Sequence, residues 1–258
     1  MSKPVVLAAA AHPDDLEFLF SGTLLRLREA GCAIHMWNLA DGSCGTVRHT
    51  REEIIRLRAE ESARSAALAG ATLHPSVFSD LAVFYDQPSL AAVASVVRAI
   101  RPQIILTHIV DDYMEDHQNV CRLLTTAAFS RGMTNFSPEP PRPPYADPVR
   151  IYHAPPHGLH NGLGERFRPD VLIDVASVME TKRRQLACHQ SQFAWLDDSQ
   201  GMETPVGEME ALCRTLAGYG RGLEFAEGWR RHSHLGFCPP DFDPLPALLA
   251  DFIQTPTP

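Results

Sequence analysis

The segment that most constrains the fold lies near the start of the chain, where residues 4–11 form an uninterrupted apolar run. A strand that is buried on both faces needs such a run, and strands of this kind occur in parallel sheets covered by helices. A helix is predicted soon afterwards, over residues 18–30, and Gly31 marks its end. This order of elements predicts a strand–helix unit that feeds a parallel sheet.

The same alternation continues along the first half of the chain. Strands are predicted over residues 33–40, 71–78 and 103–108, and helices over residues 50–69 and 88–100. Another helix is predicted to begin at Asp116, as its N-cap. This alternation predicts an α/β fold, Rossmann-like, with a mostly parallel sheet and helices on both faces. In such sheets ligands bind beyond the carboxyl ends of the strands.

The second half of the chain is less regular, and its segment 137–148 is rich in proline. Its predicted elements are two strands and two helices, over residues 149–154, 170–175, 176–190 and about 204–218. A chain of 258 residues, 45% of them hydrophobic, can bury one sizeable core. We therefore predict a single domain over residues 1–258, with a Rossmann-like core over 1–135. The loop-rich part over 136–258 would complete the substrate pocket.

The composition excludes several classes of partner. The net charge is -8, from 23 basic and 31 acidic residues, and no basic run stands out, so we expect neither nucleic acid nor an anionic membrane as a partner. No apolar run is long enough to span a membrane, and the features of a signal peptide are missing. Six scattered cysteines without a CxxC pair predict reduced thiols and a cytoplasmic protein. The composition is compatible with a homo-oligomer.

The first predicted strand leads into a turn made of His12, Pro13, Asp14 and Asp15. Pro13 fixes one backbone angle and favours an extended conformation at His12, so the turn is stiff. One of the adjacent carboxylates can bind a cation while the other faces a water molecule. The turn lacks the GxGxxG glycines that a dinucleotide needs, so it favours a cation over a nucleotide. The alternative is that Asp14 or Asp15 only caps the next helix.

A second group of polar side chains begins where the predicted strand 103–108 ends, at another carboxyl strand end. It consists of His108, Asp111, Asp112, Glu115, Asp116 and His117. Two imidazoles and one carboxylate from separate loops form a catalytic zinc set that leaves one position for water. Zinc lowers the pKa of that water to about 7, and a second carboxylate is then needed to take its proton. We therefore predict one zinc ion per chain. The alternative is an acidic capping loop with incidental histidines.

Two motifs resemble those of the LmbE-like or PIG-L zinc deacetylases, which remove N-acetyl groups from glucosamine-containing molecules. The sequence AHPDDLE at residues 11–17 is similar to the AHPDDE-type signature of the family, with one extra residue before the glutamate. The sequence DYMEDH at residues 112–117 is similar to a pattern close to DYHPDH. The resemblance implies these roles: metal ligands His12, Asp15 and His117, and general base Asp14.

Weaker resemblances to the same family extend over most of the chain. Arg58 and Glu61 fall where the family has an R-x-x-E helix motif, and Asp86 resembles an aspartate that contacts the sugar. The segments 174–192 and 225–230 resemble the D-I-S…K…H-x-S-Q and Y-A-E-G-F-R sequences of the family. The resemblance implies substrate contacts for Arg58 and Asp86.

These residues also have structural interpretations. Arg58 and Glu61 lie one turn apart on a predicted helix and could form an intrahelical ion pair. Asp86 could simply start a turn. Three further residues could serve packing rather than substrate binding: His189, Gln192 and Trp195.

Met114 stands where the family commonly has a histidine, three residues before the last metal ligand. The resemblance implies that this histidine stabilises the tetrahedral intermediate or protonates the leaving amine. A thioether can do neither. The candidate replacements are His108, His153, His157 and His160. We select His157, in the histidine-rich loop HAPPHGLH, as the catalytic replacement; the alternative is an ordinary surface histidine.

These residues together predict a zinc-dependent hydrolase that removes an N-acetyl group from a small N-acetylglucosaminyl substrate by means of a metal-activated water. The expected partner is thus a small amino-sugar molecule. Two alternatives remain. One is a deacylase that acts on another N-acyl amide in natural-product metabolism. The other is a sugar-binding protein in which Met114 marks weakened catalysis.

Overall fold

The computed structural model describes residues 3–200 and 204–257, with the backbone alone for residues 197–200. Its strands are β1 (Val5–Ala10), β2 (Ala33–Asn38), β3 (Thr72–His74), β4 (Ile104–Thr107), β5 (Arg150–His153), β6 (Val171–Asp174), β7 (Ala226–Arg231) and β8 (Ile253–Gln254). Within the described ranges these eight strands form one sheet in the order β3-β2-β1-β4-β5-β7-β6-β8. The first five strands in this order, β3, β2, β1, β4 and β5, run parallel to one another.

Helices cover the sheet. They are α1 (Asp15–Leu19), α2 (Ser21–Glu29), α3 (Arg51–Ala69), α4 (Gln87–Ile100), α5 (Glu115–Phe129), α6 (Met179–Leu186), α7 (Gln190–Gln200), α8 (Pro205–Ala217) and α9 (Pro244–Leu248). Short 3-10 turns lie at residues 130–132, 157–159 and 176–178. A helix with the length and apolarity needed to cross a bilayer is not found among the described residues.

Strand β1 lies between β2 and β4 and is buried from both sides. Its side chains alternate between two cores, because Val6 and Ala8 pack into one and Leu7 and Ala9 into the other. A strand with a core on each face needs an apolar residue at every position, which explains the uninterrupted run in the sequence. The predicted α/β fold with a mostly parallel sheet is therefore confirmed.

The carboxyl-terminal part of the chain contributes strands as well as loops. Strand β7 lies between β5 and β6 and is antiparallel to both. The sequence does not predict β7, because Glu227 and Arg230 make it polar. Glu227 is nevertheless buried, where its carboxylate accepts hydrogen bonds from Lys182 Nζ at 2.6 Å and from the N–H groups of Gly22 and Thr23. A buried charged pair thus accompanies the apolar packing of Ala226 and Trp229 at this strand.

Two helix starts differ from the prediction. The predicted helix over residues 18–30 is two helices, α1 and α2, which meet at Phe20. The predicted N-cap Asp116 lies inside α5, and Met114 occupies the N-cap position. The Asp116 carboxylate contacts His12, on another loop, instead of the helix end. The side chain that the sequence predicts as a helix cap therefore makes a long-range contact with His12 instead.

Candidate active site

The turn after β1 holds Asp14 in a strained backbone conformation. Its φ is 116° and its ψ is −26°, a region that non-glycine residues rarely adopt and that costs of order 1–3 kcal/mol. Asp14 occupies the N-cap position of α1, but its side chain makes no capping hydrogen bond. The capping alternative is therefore not realised, and Asp14 lines a cavity instead.

Three side chains from the two sequence motifs converge beside this turn. The Asp15 Oδ2 atom lies 3.6 Å from His12 Nδ1 and 3.5 Å from His117 Nε2. The same oxygen accepts the backbone N–H of His12 at 2.8 Å, which fixes the carboxylate. Ligands that bind a tetrahedral zinc ion at 2.0–2.2 Å lie about this far apart. His12, Asp15 and His117 can therefore hold one metal ion.

The imidazoles of His12 and His117 each contact a further carboxylate, which fixes the orientation of the ring. His12 Nε2 lies 3.0 Å from Asp116 Oδ2, and His117 Nδ1 lies 3.1 Å from Asp112 Oδ1. A carboxylate can only accept, so these outer nitrogens carry the hydrogens. With a metal bound, His12 Nδ1 and His117 Nε2 would then supply their lone pairs on the side that faces Asp15. This arrangement is common around metal-binding histidines, and the donor set fits zinc.

The two adjacent carboxyl groups of the turn have opposite pKa shifts. Burial, followed by the charge of Asp15, raises the pKa of Asp14 to about 7, against the opposing effect of His189. Burial also acts to raise the pKa of Asp15, but the charge of His117 and the contact with His12 outweigh it and hold that pKa well below the usual range. Near neutral pH Asp15 is therefore ionised, whereas Asp14 can exchange a proton, and such a pair of carboxyl groups can serve two different chemical roles.

His108 supports the cluster without entering the cavity. Its ring stacks on that of His117 with centroids 3.9 Å apart, and its Nε2 accepts the N–H of Ala11 at 2.9 Å. His108, Asp112 and His117 also lie close enough to hold an ion, but neither His108 nor Asp112 lines the cavity. His108 is therefore a packing partner of the candidate ligand His117 rather than a substitute for the missing histidine.

A cavity of about 340 Å³ opens beside Asp14 and the three candidate ligands. Its wall includes both Met114 and His157. The His157 ring packs on Phe18 with centroids 4.3 Å apart, and burial lowers its pKa. Of the four histidines considered as replacements, His157 is the one that lines this cavity among the described residues. The structure thus brings His157 to the site next to Met114.

Arg58 reaches the cavity from α3 and is only 2% exposed. Its guanidinium donates to the carbonyl oxygen of Gly45 at 2.8 Å and to Gln192 Oε1. A Cβ atom on Gly45 would lie 2.4 Å from that guanidinium, so a larger residue there would displace the end of the Arg58 side chain. Glu61 does not pair with Arg58; it accepts the N–H and the hydroxyl of Ser191 at 2.9 and 2.6 Å. The intrahelical ion pair is therefore not formed.

Asp86 lies outside the cavity. It caps α4, where its carboxylate accepts the Ser89 N–H at 2.9 Å. Asp80 lines the cavity instead and accepts the N–H groups of Gly42 and Cys44 at 2.7 and 2.9 Å. Sequence reasoning missed Asp80, although an aspartate a few residues beyond β3 repeats the pattern seen after β1 and β4.

The remaining predicted residues divide between the cavity and the core. Gln192 and Trp195, both on α7, line the cavity. His189 is fully buried, with Nε2 3.2 Å from Glu17 Oε2. The bracing interpretation thus fits His189, whereas Gln192 and Trp195 face the space where a ligand would bind.

Comparison with known proteins identifies relatives of two kinds. Residues 7–128 match the sequence profile of the family described as "PIG-L: GlcNAc-PI de-N-acetylase". A diacetylchitobiose deacetylase from Thermococcus kodakarensis is 29% identical over 238 residues, which is 87% of this chain and 82% of the relative. A 4-oxalmesaconate hydratase from Pseudomonas putida is 25% identical over 72% of this chain and 73% of the relative.

Solved structures show the same two kinds of relative. The N,N′-diacetylchitobiose deacetylase from Pyrococcus horikoshii superposes with a TM-score of 0.75 at 20% identity, over 93% of this chain and 88% of that one. The 4-carboxy-2-hydroxymuconate hydratase from Pseudomonas putida superposes with a TM-score of 0.69 at 22% identity, over 89% of this chain and 96% of that one. At these identities the superpositions establish the shared fold.

Proposed function

Because the chain carries a PIG-L (LmbE-like) family domain over residues 7–128, we propose that it is a zinc-dependent hydrolase that removes an N-acetyl group from a small N-acetylglucosaminyl substrate. The observation that carries this function is the convergence of His12, Asp15 and His117 beside the strained Asp14 at the cavity wall. A relative that is 29% identical to this chain is a diacetylchitobiose deacetylase.

His12, Asp15 and His117 would hold the zinc ion, and the carboxylates of Asp112 and Asp116 would keep both imidazoles in the binding orientation. When bound, zinc supplies the Lewis acidity that activates water and polarises an amide carbonyl. Asp14 accepts a proton from the attacking water and delivers it to the nitrogen of the leaving amine. One water and one acetamide thereby give one acetate and one amine.

His157 takes the place of the histidine that Met114 replaces. Its burial favours a neutral imidazole, whose N–H can donate to the carbonyl oxygen as negative charge develops there. The packing against Phe18 holds the ring in place for this role. Met114 then contributes only an apolar wall, because its thioether offers no hydrogen-bond donor.

Two further cavity residues suit a hydroxylated, uncharged substrate. Arg58 presents N–H donors and Asp80 presents acceptor oxygens, and both are held by backbone contacts. Because Asp86 caps α4 outside the cavity, the sugar contact that it was predicted to make falls to Asp80. Among the described residues that line the cavity, Arg58 is the only arginine or lysine, beside Asp14, Asp15 and Asp80.

The test is acetate release by the zinc-loaded protein from a panel containing N-acetylglucosamine, N,N′-diacetylchitobiose and unrelated N-acyl amides. We expect acetate from the amino sugars and its loss in Asp14→Asn. Acetate or acyl release only from the other amides would favour the broader deacylase function. Binding of the sugars without turnover would favour a sugar-binding protein, and hydration of 4-carboxy-2-hydroxymuconate without acetate release would contradict a deacetylase.

A further inference from the structure

A crevice of about 410 Å³ lies between helix α3 and residues 73–79, the end of β3 and the segment that follows it. Ile55 and Ala59 line it from the helix, and Asn38 lines it from the end of β2. The crevice thus lies at the carboxyl ends of two parallel strands, where ligands bind in sheets of this kind. Of the described residues, none lines both this crevice and the cavity beside Asp14. A ligand in the crevice would therefore leave the proposed active site free.

Asn38 brings a buried amide with unused hydrogen-bonding capacity to this crevice. The residue is 2% exposed, and its Oδ1 atom makes no hydrogen bond with a described residue. Its Nδ2 donates one hydrogen to Ser62 Oγ at 3.3 Å, which leaves a second hydrogen on the same nitrogen. A buried polar atom without a partner is costly, and folded proteins seldom keep one that has no role. Asn38 therefore offers a ligand one acceptor and one donor side by side.

His74 adds a second polar group to the lining of the crevice. Its Nε2 atom lies 2.8 Å from Nδ1 of His35, so one of these two nitrogens donates to the other. The two rings also stack with centroids 5.1 Å apart, and both contacts fix the orientation of the His74 ring. Burial, followed by the neighbouring His35, lowers the pKa of His74, so its ring is neutral near pH 7. Its Nδ1 atom makes no hydrogen bond with a described residue and is available to a neutral ligand.

The rest of the lining is mostly apolar, with Ile55, Leu73, Val77 and Phe78 among its residues. No lysine or arginine lines the crevice within the described part of the chain, so the lining offers no cation to a phosphate or a carboxylate. A volume of about 410 Å³ falls within the size range of small-molecule sites. The crevice therefore suits an uncharged ligand that has apolar faces and a polar edge.

We propose that this crevice binds an uncharged nucleobase, either free or as a nucleoside. The edge of a base such as adenine carries an amino N–H beside a ring nitrogen, and an asparagine amide pairs with both. The amino group donates to Asn38 Oδ1, the ring nitrogen accepts from Nδ2, and the faces of the base pack against the apolar lining. An acyl chain would instead leave the amide without partners as it excluded water. This inference does not depend on the proposed deacetylase function.

Two variants test the site in different ways. Ala59→Trp fills the crevice, because Ala59 is an exposed residue of α3 that lines it. Ala67→Trp is its matched control, since Ala67 is an exposed alanine of the same helix that does not line the crevice. Asn38→Leu removes the amide and keeps a side chain of similar size. Isothermal titration calorimetry gives the Kd of each protein for adenosine and for purine riboside, which lacks the amino group of adenosine.

We expect the parent and Ala67→Trp to bind adenosine at least about tenfold more tightly than purine riboside, because purine riboside leaves Asn38 Oδ1 without a donor. Ala59→Trp should weaken adenosine binding at least about tenfold, and Asn38→Leu should bind both nucleosides with equal, reduced affinity. If the parent does not bind adenosine at about 1 mM, or if Ala59→Trp binds it as tightly as the parent, the proposal is wrong. A folded Asn38→Leu protein that still prefers adenosine would also overturn it.

Discussion

The Nε2 atom of His12 lies 3.0 Å from Oδ2 of Asp116, a residue 104 positions further along the chain. This contact joins the turn after β1 to the first turn of α5, so the two polar motifs of the sequence form one cluster. It also turns His12 Nδ1 towards Asp15. The Asp116 carboxylate further accepts the N–H of Leu81, which ties a cavity-lining loop to the same group.

Asp116→Asn should weaken zinc binding about 10- to 100-fold, because the imidazole of His12 loses the charged partner that orients it and raises its basicity. Zinc affinity measured by competition with a chromogenic chelator checks this expectation. Glu115→Gln is the matched control, since it removes the same charge from the same turn of α5 but contacts Asn119 rather than a histidine. Equal zinc affinity in both variants would show that Asp116 does not support the metal site.

His157→Phe should lower kcat about 100- to 1,000-fold while changing KM much less, because the lost N–H acts on charge that develops in the transition state. Phenylalanine keeps the ring packing against Phe18. The measurement is steady-state acetate release. If the His157→Phe variant had the same kcat as the parent, His157 would have no part in the reaction.

Met114→His should partly restore kcat when it is added to His157→Phe, because both residues line the same cavity. An imidazole at position 114 would then supply the N–H that position 157 has lost. The comparison is between the single and the double variant under identical conditions. A double variant that is slower than His157→Phe would show that methionine belongs to a differently arranged site.

Stability should fall between pH 7 and pH 5 because of His153. Burial lowers its pKa to about 4, although its hydrogen bond to the carbonyl oxygen of His108 acts in the opposite direction. In the unfolded chain the His153 imidazole binds a proton near pH 6.5, whereas in the folded chain it binds one only near pH 4. Lowering the pH therefore favours the unfolded state. This group should account for about 2 kcal/mol of the loss.

Urea unfolding at both pH values checks that expectation. In His153→Gln the loss between pH 7 and pH 5 should be smaller than in the parent protein by about that amount. His49→Gln, at an exposed position, should behave as the parent does. Equal pH dependence in the parent and in His153→Gln would contradict a buried neutral imidazole.

Lys182→Met should destabilise the fold by about 3–5 kcal/mol, because it leaves the carboxylate of Glu227 buried without its cation. Lys182 and Glu227 are 0% and 1% exposed, and their charged atoms lie 2.6 Å apart. Arg184→Met, which changes an exposed cation on the same helix, should cost no more than about 0.5 kcal/mol. A similar free energy of unfolding for both variants would mean that Glu227 finds another partner.

The parts of the site that the sequence predicts are those that follow strands. The carboxyl ends of β1 and β4 are neighbours in the sheet, so His12, Asp15 and His117 had to come close once the strand order was parallel. Asp80 also follows a strand, but that strand has only three residues, and the loop geometry that brings Asp80 to the cavity is not visible in the sequence. The central sheet was predictable for the same reason that the cluster of candidate metal ligands was.

Features that depend on distant partners could not be predicted. Asp116 has the sequence pattern of an N-cap, and only its contact with His12 shows that it serves the site. Strand β7 has a polar sequence, and only the structure shows that its Glu227 is buried and paired with Lys182. In both cases the neighbouring sequence suggests one role for a charged side chain, and a partner that is distant in the sequence gives it another.

The most direct measurement is acetate release from N,N′-diacetylchitobiose by protein that has been stripped of metal and then titrated with zinc. Activity should be absent without metal and should reach its maximum at one zinc per chain. Asp14→Asn should bind zinc as the parent does and lose activity at least about 100-fold. Full activity in the stripped protein, or an Asp14→Asn variant as fast as the parent, would contradict a zinc-dependent deacetylase that uses Asp14 as its base.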